Sequence, residues 1–340
     1  IDKMLRMIES DNAIRLTYII PVYNAGAYLE PCLQSVERQG LAEGSYEVIC
    51  VDDGSTDGSL VRLEAWAAGG AGRRLLRQSH GGASRARNAG LRAARGTYVW
   101  MVDADDLLVP QCAPALLRRM EDERLDVLTF GMQAYDTVSG PEPGTVGNVL
   151  HKPRGVVSGR TYLLHAEVEM SCCCVLLRRQ VVMEHGVFFM EGITLEDLEY
   201  MPHVLLYCRR VASVREVCYY YRRNPNSTSR LRTPDFYEFR IHCWLRVLRR
   251  LEAHNRRAGC MDGVMGDKAY MLLLLLWESR MPLAVQMRYV LQFQRCGVFG
   301  MLRCRRMIFV RRHKLAALCF RLPVCYRLFL RLAHLTGWYP

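Results

Sequence analysis

Asp103-Ala104-Asp105-Asp106 follows directly on the apolar run Thr97-Tyr-Val-Trp-Met-Val102. Carboxylates two positions apart on a strand-to-loop turn reach one site, and their hard oxygens suit Mg2+ or Mn2+. Such an ion keeps water and completes its shell with substrate phosphates. A solvated acidic turn has the same composition. What favours a site is the place of this turn behind an apolar strand.

Four more clusters carry polar chemistry. In Asp52-Asp53-Gly54-Ser55-Thr56-Asp57 the Asp, Ser and Thr suit helix capping and Gly54 a tight turn. Two successive carboxylates exceed what a cap requires, and one could accept a hydrogen bond from the imide N–H of a uracil ring. Gly81-Gly82-Ala83-Ser84-Arg85-Ala86-Arg87-Asn88-Ala89-Gly90 joins a loop to a helix start, whose donors suit a phosphate or a base carbonyl. Glu196-Asp197 opens a helix, where the dipole favours acids in any case. A second carboxylate remote in sequence from the acid turn is also what a general base for a sugar hydroxyl requires. Tyr219-Tyr-Tyr-Arg222-Arg223-Asn224 and Ser227-Thr228-Ser229 end a strand and open a polar loop, a lid or an ordinary connection.

The elements that must position these groups alternate. Leu16–Val22, Tyr46–Val51, Thr97–Val102 and 126–130 read as strands; helices are expected from Leu29 to Val36, over 58–68 and over 85–94. Such β-α-β alternation predicts an α/β fold, a mostly parallel sheet flanked by helices. Tyr23-Asn24, Asp52-Asp53 and Asp103 to Asp106 then follow three strand ends and should line one crevice. Residues 131–158, rich in Gly and Pro, are expected to be a loop or insert. A strand at Cys172–Leu177, a helix at 195–207 and a strand at Val217–Tyr221 come next. From Pro234 only helical periodicity remains, with breaks near Gly259, Pro282, Gly297 and Pro323.

The 340 residues carry 46 Lys and Arg against 34 Asp and Glu, and the distribution matters more than the total. No acid follows Glu278, while 12 basic residues lie between Arg280 and Arg331; the remaining 34 basic residues equal the 34 acids. A neutral body therefore carries a basic tail. Fourteen cysteines form no C-x-x-C pair, and Cys172, Cys173 and Cys174 are adjacent, which argues against a metal cage. No signal-peptide pattern opens the sequence, so a reducing cytosol is expected. The apolar run Ala269–Trp277 is far short of the roughly twenty residues that span a bilayer.

Taken in order, Ile20-Pro21-Val22-Tyr23-Asn24, Val51-Asp52-Asp53-Gly54-Ser55-Thr56-Asp57, the Gly82–Gly90 stretch and Val102-Asp103-Ala104-Asp105-Asp106 resemble the family 2 glycosyltransferases of the GT-A fold. Leu195-Glu196-Asp197 and Tyr221-Arg222-Arg223 fit that family's acceptor half. The resemblance covers residues 15–230; His80 stands where the family often has Asn. It implies transfer of a sugar from a nucleotide diphosphate sugar, expected to be a UDP-sugar, with inversion. By matching position Pro21, Tyr23, Asp53 and Arg87 would hold the base, Asp103 the ribose, Asp105 a Mn2+ or Mg2+ ion, and Asp197 would be the base catalyst; Asp52 is expected in the same nucleotide-sugar site. The acceptor would be a glycan or polyprenyl-linked glycan of a bacterial envelope or capsule.

The implied organisation is an extension over 1–14, a GT-A domain over 15–230 with a nucleotide-sugar half (15–130) and an acceptor half (131–230), and a basic helical appendage over 231–340. A nucleotidyltransferase would want a Gly-rich loop with Lys after the first strand, and Pro21-Val22-Tyr23-Asn24 is not that. A phosphatase with an Asp nucleophile would place Thr or Val where Asp106 stands. A non-catalytic, membrane-associated nucleotide-sugar-binding protein explains the tail but does not require Asp197. In that tail Arg327, Arg331 and His334 are expected on one face against Leu328, Phe329, Leu332 and Leu335, and a cluster from Arg303 to Lys314 adds charge upstream. Interleaved apolar stretches such as Leu315–Phe320 point to an anionic membrane surface rather than nucleic acid. The expected location is cytoplasmic, peripheral at the inner face of the membrane.

Overall fold

The computed structural model describes residues 14–147, 153–165, 171–224, 232–302 and 322–337. The loop at Ser227–Ser229, the cluster from Arg303 to Lys314 and the stretch Leu315–Phe320 lie outside the described residues. The chain divides into two compact units. Residues 1–159, 169–192 and 207–224 form the first, and residues 160–168, 193–206 and 225–340 the second. This division differs from a single cut at residue 230, because Leu195 and Leu198 pack against the core of the helical unit.

Nine strands of the described residues form one sheet in the first unit. They are β1 (Leu16–Val22), β2 (Tyr46–Asp52), β3 (Arg73–Arg77), β4 (Tyr98–Met101), β5 (Leu107–Leu108), β6 (Val127–Asp136), β7 (Gly140–Gly147), β8 (Val175–Arg178) and β9 (Val211–Arg222), in the order β3-β2-β1-β4-β8-β6-β9-β5 with β7 on β6. The half from β3 to β4 is parallel throughout; β8 runs antiparallel to both neighbours, β6 and β9 pair in parallel, and β5 and β7 are antiparallel. Covered on both faces, β1 and β2 read as near-continuous apolar runs. Helices α1 (Leu29–Glu37), α2 (Ser59–Ala67), α3 (Ala83–Ala93) and α4 (Ala113–Asp122) connect the strands. A Cβ at Gly90 would stand 2.3 Å from Ile19 Cγ2, so this glycine lets α3 lie directly on β1.

Three segments depart from the sequence expectation. Residues 131–147 are not a loop: β6 continues to Asp136 and returns as β7. The Pro and Gly of β7 masked it, and an edge strand tolerates both. Cys172–Cys174 form a 3-10 turn rather than the start of a strand, with Ser171 Oγ accepting from Cys173 N, and only Val175–Arg178 is extended. The short basic strand β3 has no apolar alternation and shows only through its pairing with β2.

In chain order the remaining helices are α5 (Gly159–His165), α6 (Arg179–His185), α7 (Asp197–Leu205), α8 (Pro234–Ala258), α9 (Asp262–Glu278), α10 (Leu283–Arg295), α11 (Val298–Met301) and α12 (Pro323–Thr336). Tyr237, Ile241, Leu248, Leu272, Leu276, Phe293, Tyr326 and Leu330 belong to the core of the second unit. Thr233 caps α8 through Phe236 N, and Gly259 closes it in the left-handed region. On α12 the buried residues are Tyr326, Leu330 and Ala333. Arg327 donates to Gln294, and His334 pairs with Gln286, so two of the three expected polar-face residues bond within the unit. Val324, Leu328, Leu332 and Leu335 are left between 51% and 82% exposed. Among the described residues no helix is long and apolar enough to cross a membrane.

Candidate active site

The parallel register puts the carboxyl ends of β1, β2 and β4 side by side, and backbone bonds from Asp53 N to Val22 O and Val102 N to Ile19 O continue the ladder into the loops. Much of the polar pattern there fastens one loop to the next. Asn24, in the left-handed region, accepts from Thr56 N at 2.7 Å, and its own N–H donates to Ser55 Oγ. Asp57 accepts from Gly26 N and Ser59 N. Asp52 accepts from Gly54 N and Ser55 N, so its carboxylate forms the turn.

Asp53 has different partners. Its oxygens accept from Gln78 Nε2 (2.6 Å), Gly81 N (2.9 Å) and Gly82 N (2.8 Å), and His80 Nδ1 lies 2.9 Å away. The carboxylate thus shapes the loop that leads into α3. Gly54, at φ +77°, lets the two backbones meet; a Cβ there would stand 3.0 Å from His80 N. Tyr23 stacks on His80 with ring centroids 4.0 Å apart and is 48% exposed, presenting an aromatic face at the rim.

Arg87, on the buried side of α3, reaches Asp103 Oδ1 at 2.6 Å and lies over the Phe189 ring. The adjacent Asn88 donates to Phe189 O and Glu191 Oε1 and accepts from Phe189 N, which ties α3 to the segment after α6. Sequence spacing could not have paired Asn88 with a stretch 101 residues away.

Within the acid turn the carboxylates separate. Asp106 is buried, accepts from Tyr219 Oη at 2.7 Å and from Arg222 N at 2.8 Å, and serves the architecture. Burial first, then the charges of Asp103 and Asp105, push its pKa well above the usual carboxylate range. Asp105 is half-buried and accepts from Asn224 Nδ2 at 3.1 Å. Burial, followed by repulsion from Asp103, raises its pKa as well. The Tyr219–Asn224 stretch, composition-neutral between lid and loop, therefore has its strand end fastened to this turn. Arg222 also lies over Tyr28.

Asp197 stands in the second unit as the first residue of α7, half-buried. The first unit therefore gathers Pro21, Tyr23, Asp52, Asp53, Arg87, Asp103 and Asp105 along the β1, β2 and β4 ends, and Asp197 belongs to the other unit.

The chain has relatives among known proteins. The family described as Glycosyl transferase family 2 matches residues 17–186, half of the chain. The chain belongs to this family. One relative, the uncharacterized glycosyltransferase EpsJ of Bacillus subtilis, is 33% identical over 223 residues, covering 64% of this chain and 63% of its own length. The chain thus spans a little under two thirds of that relative. Among solved structures, residues 1–349 of S. aureus TarS in complex with UDP-GlcNAc superpose with a TM-score of 0.69 at 19% identity, covering 96% of this chain and 93% of that one. A mannosyltransferase from Pyrobaculum calidifontis, solved with GDP-Man and Mn2+, gives 0.52 at 16% identity, covering 96% and 87%. These structural likenesses concern the fold, and they agree with the GT-A architecture expected for family 2.

Proposed function

We propose that this chain is an inverting glycosyltransferase that moves a sugar from a nucleotide diphosphate sugar, first among them a UDP-sugar, to a hydroxyl of a cell-surface glycan or polyprenyl-linked glycan. The observation that carries the reading is the convergence of Asp53, the Arg87–Asp103 pair and Asp105 where three parallel strands end. Tyr23 and Pro21 offer a face to the base, Asp53 its carboxylate and Arg87 a cation. Asp103, oriented by Arg87, faces the ribose. Asp52 supports the site by holding the turn beneath it. The ligands bound in the TarS and Pyrobaculum structures support a nucleotide-sugar donor.

Asp105 fits a divalent ion. It is a half-buried carboxylate with another at its side; burial first, then repulsion from Asp103, raises its pKa, and a cation would relieve both. Asn224 donates to its Oδ2. One protein carboxylate with water and substrate phosphates is ordinary Mg2+ or Mn2+ coordination. When bound, such an ion neutralises charge on the departing diphosphate. Direct displacement needs a base on the face opposite the leaving group, so the acceptor proton goes to a different carboxylate, Asp197.

Peripheral attachment to an anionic membrane at the cytoplasmic face completes the reading. The row Val324, Leu328, Leu332 and Leu335 faces outward on a helix in the 62-residue stretch that holds no acid, an arrangement suited to the headgroup plane. The deciding experiment is a panel of UDP- and GDP-sugars with and without Mn2+, scored by melting and by transfer. A bound donor should stabilise by about 2.7 kcal/mol at a hundredfold excess over its dissociation constant. A panel in which no nucleotide sugar protects or reacts would overturn the assignment.

A further inference from the structure

In the second unit a cluster separate from the acid turn has the chemistry of a transition-metal site. Glu199 and His203 lie one turn apart on α7, and His254 comes from α8. Their ligand atoms all fall within 4.8 Å of one another. Glu199 is buried, and its Oε1 stands 3.4 Å from His203 Nδ1 and 3.6 Å from His254 Nε2. Both separations exceed a good hydrogen bond. Two atoms each about 2.0–2.1 Å from a tetrahedral Zn2+ lie about 3.3–3.4 Å apart, so an ion fits between them with little movement.

We propose that Glu199, His203 and His254 bind one Zn2+ or similar borderline divalent ion, with water as the fourth ligand. Neither Glu199 oxygen accepts a hydrogen bond of good geometry, although both are buried. A buried carboxylate normally has such partners, and a metal supplies what is missing. The two imidazoles stack with centroids 3.8 Å apart, which brings two soft-to-borderline nitrogens to one edge of the carboxylate.

The competing cation is Arg250, whose Nε lies 3.0 Å from Glu199 Oε1. Its side chain is 38% exposed, so it can remain in water while the ion takes the carboxylate. A Glu-x3-His pair on one helix and an Arg-x3-His pair on the next make the site a clamp between α7 and α8. The clamp depends on no particular role for Asp197, although α7 begins there. It is also distinct in donor set from Asp105, which offers oxygen alone.

The test uses the full chain, stripped with chelator and titrated with Zn2+ and separately with Co2+. One equivalent should bind, with Co2+ showing visible bands of a four-coordinate nitrogen and oxygen site and no ultraviolet thiolate charge-transfer band, which excludes the cysteines. At a hundredfold excess the melting midpoint should rise by about 4 °C. His254→Gln and His203→Gln should each weaken binding by at least about a hundredfold. Asp105→Asn should leave the equivalent in place. Since His254 is the more accessible ring, H254Q decides the case if H203Q fails to fold. An unchanged equivalent in H254Q, its loss in D105N, thiolate bands in the Co2+ spectrum, or no equivalent at all in the parent chain would each overturn the proposal.

Discussion

Tyr219 donates its phenolic proton to Asp106 at 2.7 Å across 113 residues of sequence, and the same oxygen receives the N–H of Asp103 at 3.2 Å. One buried hydroxyl thus fixes the acid turn from the end of β9, and the backbone of Asp103 cannot shift without breaking the bond.

Removing that hydroxyl is the first test. Tyr219→Phe leaves a buried carboxylate oxygen and a backbone N–H without their partner, so the protein should lose roughly 1–3 kcal/mol. Nucleotide-sugar binding should weaken alongside, because Asp103 and Asp105 share the turn. Denaturant melts and donor titrations measure the two effects; a melt equal to that of the parent chain would show that the turn does not need the bond.

Asp197→Asn should leave donor affinity nearly intact and cut transfer by roughly two to four decades, the usual worth of a general base. A collapse of donor binding would instead assign Asp197 to the nucleotide site.

Asp105→Asn should keep the fold and remove metal-dependent turnover. The sign of its pH effect follows from the raised pKa. Folding holds the proton more tightly than the unfolded chain does, so ionising Asp105 subtracts stability as pH rises through the folded value. The neutral Asn carries no such penalty, and its melt at neutral pH should match or exceed that of the parent. Mn2+ affinity of the parent should fall on acidification, starting above the ordinary carboxylate pKa of about 3.9. Activity that survives excess chelator would exclude the metal role.

Glu47 is the opposite case. It is buried opposite Thr17 on β1 and accepts from Thr17 Oγ1, Arg95 N and the guanidinium groups of Arg74 and Arg95. Burial alone would raise its pKa, but the bonds from Arg95, Arg74 and Thr17 outweigh it and the net shift is downward. Its stabilisation is present above the unfolded value of about 4.3 and is lost as pH falls through the lower folded one. Glu47→Gln should therefore destabilise at neutral pH, toward the lower end of roughly 3–5 kcal/mol because both arginines keep contact with water. Acid titration of both proteins should bring their melts together below the folded pKa.

The membrane reading is tested on the surface rather than by truncation. Deleting the chain after Gly297 would remove Tyr326 and Leu330 from the core of the helical unit. Leu328→Glu with Leu332→Glu alters exposed side chains only, and should release the full chain from anionic vesicles while leaving its melt within about 0.5 kcal/mol. Equal sedimentation of parent and double variant with vesicles would remove this surface from the proposal.

The strands that carry the candidate site were legible because burial on both faces leaves a direct trace: β1, β2 and β4 are largely apolar runs, with Tyr23-Asn24 after β1, Asp52-Asp53 at the end of β2 and Asp103 just beyond β4. The helical tail was legible for the same reason, with its breaks at Gly and Pro. Local pattern does not say which partner a side chain meets. Asp52 and Asp53 are neighbours of one type, yet one closes a turn and the other organises the loop before α3. Strand β7 and the basic strand β3 take their extended form from pairing with β6 and β2, not from their own composition. Glu199, His203 and His254 meet only because α7 and α8 pack together, and nothing in the 50 residues between His203 and His254 announces it. Periodicity reports burial within a few residues, whereas hydrogen-bond and ligand geometry depend on which distant strands and helices the topology makes neighbours.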